Sequence, residues 1–294
     1  MTTLAGRHLV IFGCGYVGAA VARWAATADL RVTALTRNPA SAIVLREVGI
    51  NAVVADLASQ SWHDEVAPAP EFAVNCVSSG GGGTEGYRHS YLEGMRSIAA
   101  WAATRGEIGT FLYTSSTSVY PQGDGVLVDE SANVSATNDR AQVLIDAEAR
   151  VRSSVGAWKR WFILRLAGIY GPGRHHLLEQ VRAGEVAGSG EHHLNLIHRD
   201  DIVTAIAACL TAPAAIANQI FNAADDGRER KSQIVTWLAA ELGLPPSRFS
   251  GAPAGGRRTV TPDRVIANEK LKTMLAWQPR YPTFREGYAS LLSH

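Results

Sequence analysis

HLVIFGCGYVGAAVARWAATA, residues 8–28, is the stretch that decides the fold. The apolar run His8 to Phe12 has no polar face, as a strand buried on both sides requires. It breaks at Gly13-Cys14-Gly15-Tyr16-Val17-Gly18, and Ala19 to Ala28 then stays apolar apart from Arg23 and Thr27, as a buried helix would. Strand, glycine turn and helix in this order are the first half of a βαβ unit. In such a unit the first glycine makes the tight turn, the second lets a pyrophosphate approach the backbone, and the third lets helix and strand pack closely. The N–H groups opening the helix then face the phosphates. The segment predicts a dinucleotide site built on Gly13, Gly15, Tyr16, Val17 and Gly18.

The same texture continues outward. Arg31 to Leu35, Asn51 to Ala55, Phe72 to Val77, Thr110 to Ser115 and Trp161 to Leu166 read as further strands. Ala40 to Val48, Tyr87 to Arg105 and Ala141 to Ser153 read as helices between them, with a glycine-rich loop at Ser78 to Gly86. The alternation predicts an α/β protein with a Rossmann-type, doubly wound parallel sheet. Beyond about residue 167 Gly-Pro turns and shorter elements take over, with helices at Ile202 to Leu210 and Ser232 to Leu242. The predicted organisation is a dinucleotide-binding domain over 1–170 and a smaller α/β substrate-binding part over 171–294. A strand near 219–222 is expected to return to the sheet, and Pro245 to Thr261 to form a loop.

Composition narrows the partners. The chain has 294 residues, with 28 Lys+Arg against 27 Asp+Glu, so no cationic surplus exists to hold a nucleic acid or an acidic membrane. No apolar run reaches the roughly 18 residues of a membrane span. Cys14, Cys76 and Cys209 lie far apart, with no ligand-type spacing, and the start lacks a secretion signal. The expectation is a cytoplasmic protein without structural disulfides or metal, acting on a small molecule.

The end of the second strand bears on which dinucleotide is held. An acidic residue there would bind the ribose 2′-hydroxyl of NAD. The chain has Thr36-Arg37-Asn38 instead, and Arg37 suits a 2′-phosphate, which favours NADP over NAD. Asp56 and Leu57, closing the third strand, are placed for the adenine. Asn75, Ser78 and Ser79, closing the fourth, are placed under the cofactor ribose.

Several segments resemble the extended short-chain dehydrogenase/reductase family of NAD(P)-dependent epimerases and dehydratases. Thr114 to Tyr120 (TSSTSVY) is similar to its SSxxVYG segment, and Arg165 to Arg174 (RLAGIYGPGR) to its R-x-x-x-[IV]-Y-G-P-G segment. NLIHRDDI from Asn195, Phe221-Asn222 and NEKLKTMLAWQPRYPTF from Asn268 follow in the family's order. The resemblance implies a substrate-orienting Ser116, flanked by Ser115 and Thr117, and a homodimer through the helices 87–105 and 141–153. The family's Tyr-x-x-x-Lys pair, however, is missing from the chain. Its two positions fall on Arg140 and Leu144, and no lysine precedes Lys159. Guanidinium is no base near neutrality and leucine polarises nothing. The chain therefore resembles the atypical extended branch.

Replacement groups follow from residue chemistry. Arg140 would bind an anionic substrate group where the tyrosine is lost. His175, beside Arg174 at the mouth of the expected cleft, is a proton donor near neutral pH. Tyr91 stands at the position of a family asparagine and supplies a phenol near the pocket. Tyr113 is read as core, and Arg165 and Asp201 as structural, Asp201 fixing a helix start. Two functions stay open. One is an NADP(H)-dependent oxidoreductase, epimerase or dehydratase on a sugar-nucleotide-like or small carbonyl substrate, with a non-standard proton donor. The other is a non-catalytic NAD(P)-binding sensor or partner-binding protein on the same fold.

Overall fold

The computed structural model describes residues 4–79, 81–251 and 262–292. Seven strands form one sheet: β1 (His8–Phe12), β2 (Arg31–Thr36), β3 (Asn51–Val54), β4 (Phe72–Asn75), β5 (Ile108–Ser116), β6 (Trp158–Leu166) and β7 (Gln219–Ala223). Their order is β7-β6-β5-β4-β1-β2-β3, and every pairing is parallel. The order reverses between β1 and β4, where a doubly wound sheet opens a crevice at the carboxyl ends of its strands.

The pleat explains the unbroken apolar strands. In β1, Leu9 and Ile11 enter one core and Val10 and Phe12 the other, and all four are fully buried. Helix α1 (Tyr16–Thr27) supplies Val21, Ala22 and Ala25 to the first core, against the same side of the sheet as α6 (Arg199–Thr211). Burying Val21 alone contributes about 1.5–3 kcal/mol. The second core holds Trp62, Trp101, Phe111 and Tyr113 under the helices on the opposite face.

α2 (Pro39–Glu47) begins at Asn38, whose side chain accepts the amides of Ala40 and Ser41. The next helical run, α3, starts four residues earlier than the sequence predicts, inside the glycine-rich stretch. It passes from Gly83–Arg88 through a π-helical turn, His89–Glu93, into Gly94–Arg105. π turns of this kind concentrate at functional sites, and this one brings His89 and Ser90 to the carboxyl edge of the sheet. α4 (Asp139–Ser153) is capped by Asn138, which accepts the Ala141 amide.

Short parallel ladders form outside this sheet: Gly168–Tyr170 with Leu196–His198, Glu185–Val186 with Arg248–Phe249, and Val126–Val128, between β5 and β6, with Arg264–Ile266. A third core joins α5 (His176–Arg182), α7 (Lys231–Glu241) and α9 (Phe284–Leu292), while α8 (Glu269–Leu275) packs beside β7. Of the loop expected over 245–261, Arg248–Phe249 is a strand, and 252–261 lie outside the described residues. Lys159, read as preceding the sixth strand, belongs to β6 at its far end from the carboxyl edge. Among the described residues no helix is long and apolar enough to cross a membrane.

Candidate active site

A cleft of about 210 Å³ opens at the reversal point, lined by the ends of β1 to β4. Each glycine of the first turn meets a different surrounding. Gly13 has φ +87°, and a Cβ there would come within 2.6 Å of the Val77 backbone. A Cβ on Gly18 would sit 2.2 Å from the Gly13 carbonyl oxygen. At Gly15 a Cβ would meet nothing within 4 Å, so the protein leaves open space beside the backbone that opens α1. No side chain caps that helix start, and its dipole and N–H groups favour an anion. The turn therefore fits a pyrophosphate: two glycines are needed to form the cradle and the third faces the space above it.

The cleft wall also includes Thr36, Arg37, Asp56, Leu57 and Ser78. Thr36 is buried and its hydroxyl accepts the Asn38 amide. Arg37 is exposed. Asp56 holds His89 through an Oδ2···Nε2 contact of 2.8 Å and accepts the Ala58 amide on Oδ1. Burial raises the Asp56 pKa, but the His89 contact, the Ala58 amide and the charge of Arg37 together hold it below the ordinary carboxylate range. Ser90 adds to this wall a buried hydroxyl with no partner among the described residues. The sequence reading missed both His89 and Ser90, because only the π turn brings them to the cleft. Of the remaining expected groups, Val17 and Asn75 are buried beneath the turn, and Asn75 Oδ1 accepts the Val77 amide.

Tyr16 leaves the cleft wall. Its hydroxyl donates to the Pro172 carbonyl at 3.0 Å, tying the glycine turn to the Gly-Pro-Gly-Arg loop. The guanidinium carbons of Arg174 and Arg199 lie 5.5 and 5.3 Å from its ring. Arg199 is engaged by Asp200 at 2.8 Å. Arg174 is exposed and has no ion pair among the described residues.

At the end of β5 the pleat sends Ser115 and Ser116 to opposite faces. The expectation that Ser115 shares a substrate role is corrected by its burial: its hydroxyl donates to Glu148 Oε1 at 2.6 Å. Glu148 is gripped by Arg165 through Nε (3.0 Å) and Nη2 (2.6 Å), and Arg165 also donates to the Tyr120 hydroxyl. That hydroxyl donates to Asn222 Oδ1, which closes a buried network joining β5, β6, β7 and α4. Thr117 opens a 3₁₀ turn with its side chain buried and its carbonyl accepting from Arg264. Ser116 stays partly exposed, and its oxygen accepts the Ser118 amide at 3.2 Å, leaving its own proton free among the described residues.

Arg140 sits half-buried in the first turn of α4, its guanidinium 5.7 Å from the centre of the Tyr87 ring. One turn on, Leu144 is buried in the core. Tyr87 and Tyr91 stack at 4.4 Å, and the Tyr91 oxygen is hydrogen-bonded to Tyr87 and to the Ser79 backbone. Burial raises the Tyr91 pKa against these bonds, so the phenol stays protonated near neutrality. Tyr113 is fully buried, as read. His175 precedes α5, 3.8 Å from Glu179, with Nδ1 buried and unpartnered among the described residues. Asp201 does not cap α6; His198 does, and Asp201 accepts the Arg280 and Tyr281 amides instead. His193 pairs with Asp263 at 2.7 Å, and no group of three or more metal-binding side chains occurs among the described residues.

The chain is 31% identical over 192 residues to Protein YeeZ of Escherichia coli, a match spanning 65% of each chain. A 3-diazoavenalumate denitrifying reductase of Streptomyces is 28% identical over 57% of this chain and 59% of its own. Among solved structures, a protein from Methylobacillus flagellatus described as a putative NAD-dependent epimerase/dehydratase superposes with a TM-score of 0.74, 25% identity and 98% of both chains covered. Residues 9–224 match the model of the NAD dependent epimerase/dehydratase family, and the chain belongs to that family.

Proposed function

We propose that the protein is an NADP(H)-dependent oxidoreductase, epimerase or dehydratase, acting on a small carbonyl or sugar-nucleotide-like substrate with a proton donor other than the family tyrosine. The observation that carries this reading is the open space at Gly15 over an uncapped helix start, with Arg37 exposed and without a side-chain ion pair among the described residues at the far end of the same cleft. Arg37 would grip the 2′-phosphate, Asp56 and Leu57 would flank the adenine, and Asn75 and Ser78 would underlie the ribose. The bound nicotinamide supplies or takes up a hydride. Ser116, whose proton is free, would donate to the substrate oxygen, and Tyr91, kept protonated by burial, would stand as the acid beside it. His175 is the second candidate donor, its Nε2 lying 3.8 Å from Glu179. We further propose a cytoplasmic homodimer through α3 and α4.

Fluorescence titration with NADPH and, in parallel, NADH tests the reading. Wild type is expected to prefer NADPH by about tenfold or more, a difference of about 1.4 kcal/mol, and Arg37→Ser to lose that preference. Failure of both nucleotides to bind would overturn it. A second reading, a nucleotide-binding sensor without chemistry, is favoured by Arg140 and the buried Leu144 at the positions of the family pair. It predicts NADPH binding with no hydride transfer to any carbonyl.

A further inference from the structure

Two arginines near the expected reaction centre lie over tyrosine rings, 5.7 and 5.5 Å from the ring centres, and have no other side-chain bond among the described residues. Arg140 is half-buried over Tyr87, and Arg174 lies over Tyr16 on the Gly-Pro-Gly turn. Among the described residues neither side chain has an ion pair or a hydrogen bond. Asp139, next to Arg140, is exposed and makes no ion pair with it. Other arginines of this protein are used differently: Arg199 shares the Tyr16 ring but holds Asp200, Arg165 holds Glu148, and Arg160 donates to the Thr110 hydroxyl and to backbone carbonyls. A guanidinium held over a ring face with no other partner keeps its N–H groups free, in the fork geometry that grips a carboxylate or phosphate through two bonds.

The two arginines are linked through Tyr16, Tyr87 and Tyr91, which pack against one core. Tyr87, under Arg140, packs against Tyr91 at 4.4 Å, and the charge of Arg174 acts on the Tyr91 phenol as well. Arg140 also lies in the first turn of a fifteen-residue helix, whose dipole adds to its pull on an anion. We infer that the carbonyl substrate carries an acidic group, a carboxylate or a phosphate monoester, clamped between Arg140 and Arg174 beside Tyr91. The inference rests on the oxidoreductase reading and deepens it. The residue that replaces the family tyrosine binds substrate and moves no proton.

The test uses the full chain saturated with NADP⁺ for binding and with NADPH for turnover. The probes are aldehydes in matched sets of rising size, beginning with 4-carboxybenzaldehyde, its methyl ester and 4-formylphenyl phosphate. Binding is read from tryptophan fluorescence and turnover from NADPH oxidation. An acidic aldehyde should bind at least about tenfold tighter than its neutral ester, since a lost charge-assisted hydrogen bond costs that much. Whichever of carboxylate and phosphate wins identifies the acidic group. Arg140→Gln and Arg174→Gln should each bring the acid-to-ester ratio toward one, with NADPH affinity measured alone unchanged. Equal binding of acid and ester across the sets would overturn the inference. So would a loss of NADPH affinity in Arg174→Gln with the ratio intact, because that arginine would then belong to the cofactor pyrophosphate. Failure of wild type to bind NADPH at all would instead sink the oxidoreductase reading beneath it.

Discussion

The turn after β1 and the end of β5 lie at the same edge of the sheet but are built from different material. At the first, the backbone does the work: Gly13 and Gly18 touch neighbouring main chain, and Gly15 borders open space. At the second, side chains from four separate segments lock together, with Ser115, Glu148, Arg165, Tyr120 and Asn222 forming one buried network. A backbone device is local and resists change, because few residues other than glycine fit it. A side-chain device tolerates exchange at its edge while its buried part is held. Arg140 and Leu144 stand at that edge, two turns and one turn before Glu148 on α4.

The comparison breaks most visibly at Glu148. Both partners of the Arg165–Glu148 pair are under 5% exposed, so Glu148→Ala strands a buried guanidinium and a serine hydroxyl. The expected cost is about 3–5 kcal/mol, read as a shift in the denaturant midpoint with unchanged slope. A variant that melts like wild type would mean the network is dispensable and the contrast empty. The conservative Glu148→Gln should recover part of the loss, since it keeps one acceptor for Arg165.

The glycine turn sharpens the contrast next. Gly18→Ala pushes a methyl group into the Gly13 carbonyl and should destabilise by about 1–3 kcal/mol or more, as overpacking does. Gly15→Ala meets no protein atom and should cost at most about 1 kcal/mol, the penalty of a poorer helix cap. Its effect should fall on the nucleotide, with NADPH affinity down at least about tenfold. Paired melts and titrations separate the two roles. If Gly15→Ala keeps its NADPH affinity, the pyrophosphate does not approach there.

How much was legible follows from the same division. The glycine turn, the alternating strands and their parallel order read directly from the sequence, since each signal sits within about a dozen residues and obeys a period. The Arg165 segment read as structural, but its partners did not, because Glu148 and Tyr120 reach it from segments 17 and 45 residues away in the chain. Ser115 and Ser116 read as neighbours in function, although adjacent residues of a strand face opposite sides. His89 and Ser90 were hidden for another reason. A regular helix over 87–105 gives no hint of the π turn at His89–Glu93 that turns them to the cleft. The glycine-rich stretch before it read as loop, yet α3 already begins at Gly83.

The smallest expected effect concerns the residue that only the structure revealed. His89 and Asp56 are joined by a 2.8 Å hydrogen bond, but their side chains are 48% and 41% exposed, and such surface pairs contribute only about 0.2–1 kcal/mol. His89→Ala should therefore melt within about 1 kcal/mol of wild type, far less than Gly18→Ala. The pair does more for the cleft than for the fold. It bridges the end of β3 to the π turn and fixes the carboxylate proposed to flank the adenine. Freed from His89, Asp56 keeps only the Ala58 amide and the field of Arg37, and it can swing toward solvent. NADPH affinity should then fall a few-fold, with the NADPH-over-NADH preference intact because Arg37 is untouched. A changed preference would instead place His89 against the 2′-phosphate, and the selectivity of this cleft would then belong to a side chain delivered by the π turn as well as to Arg37.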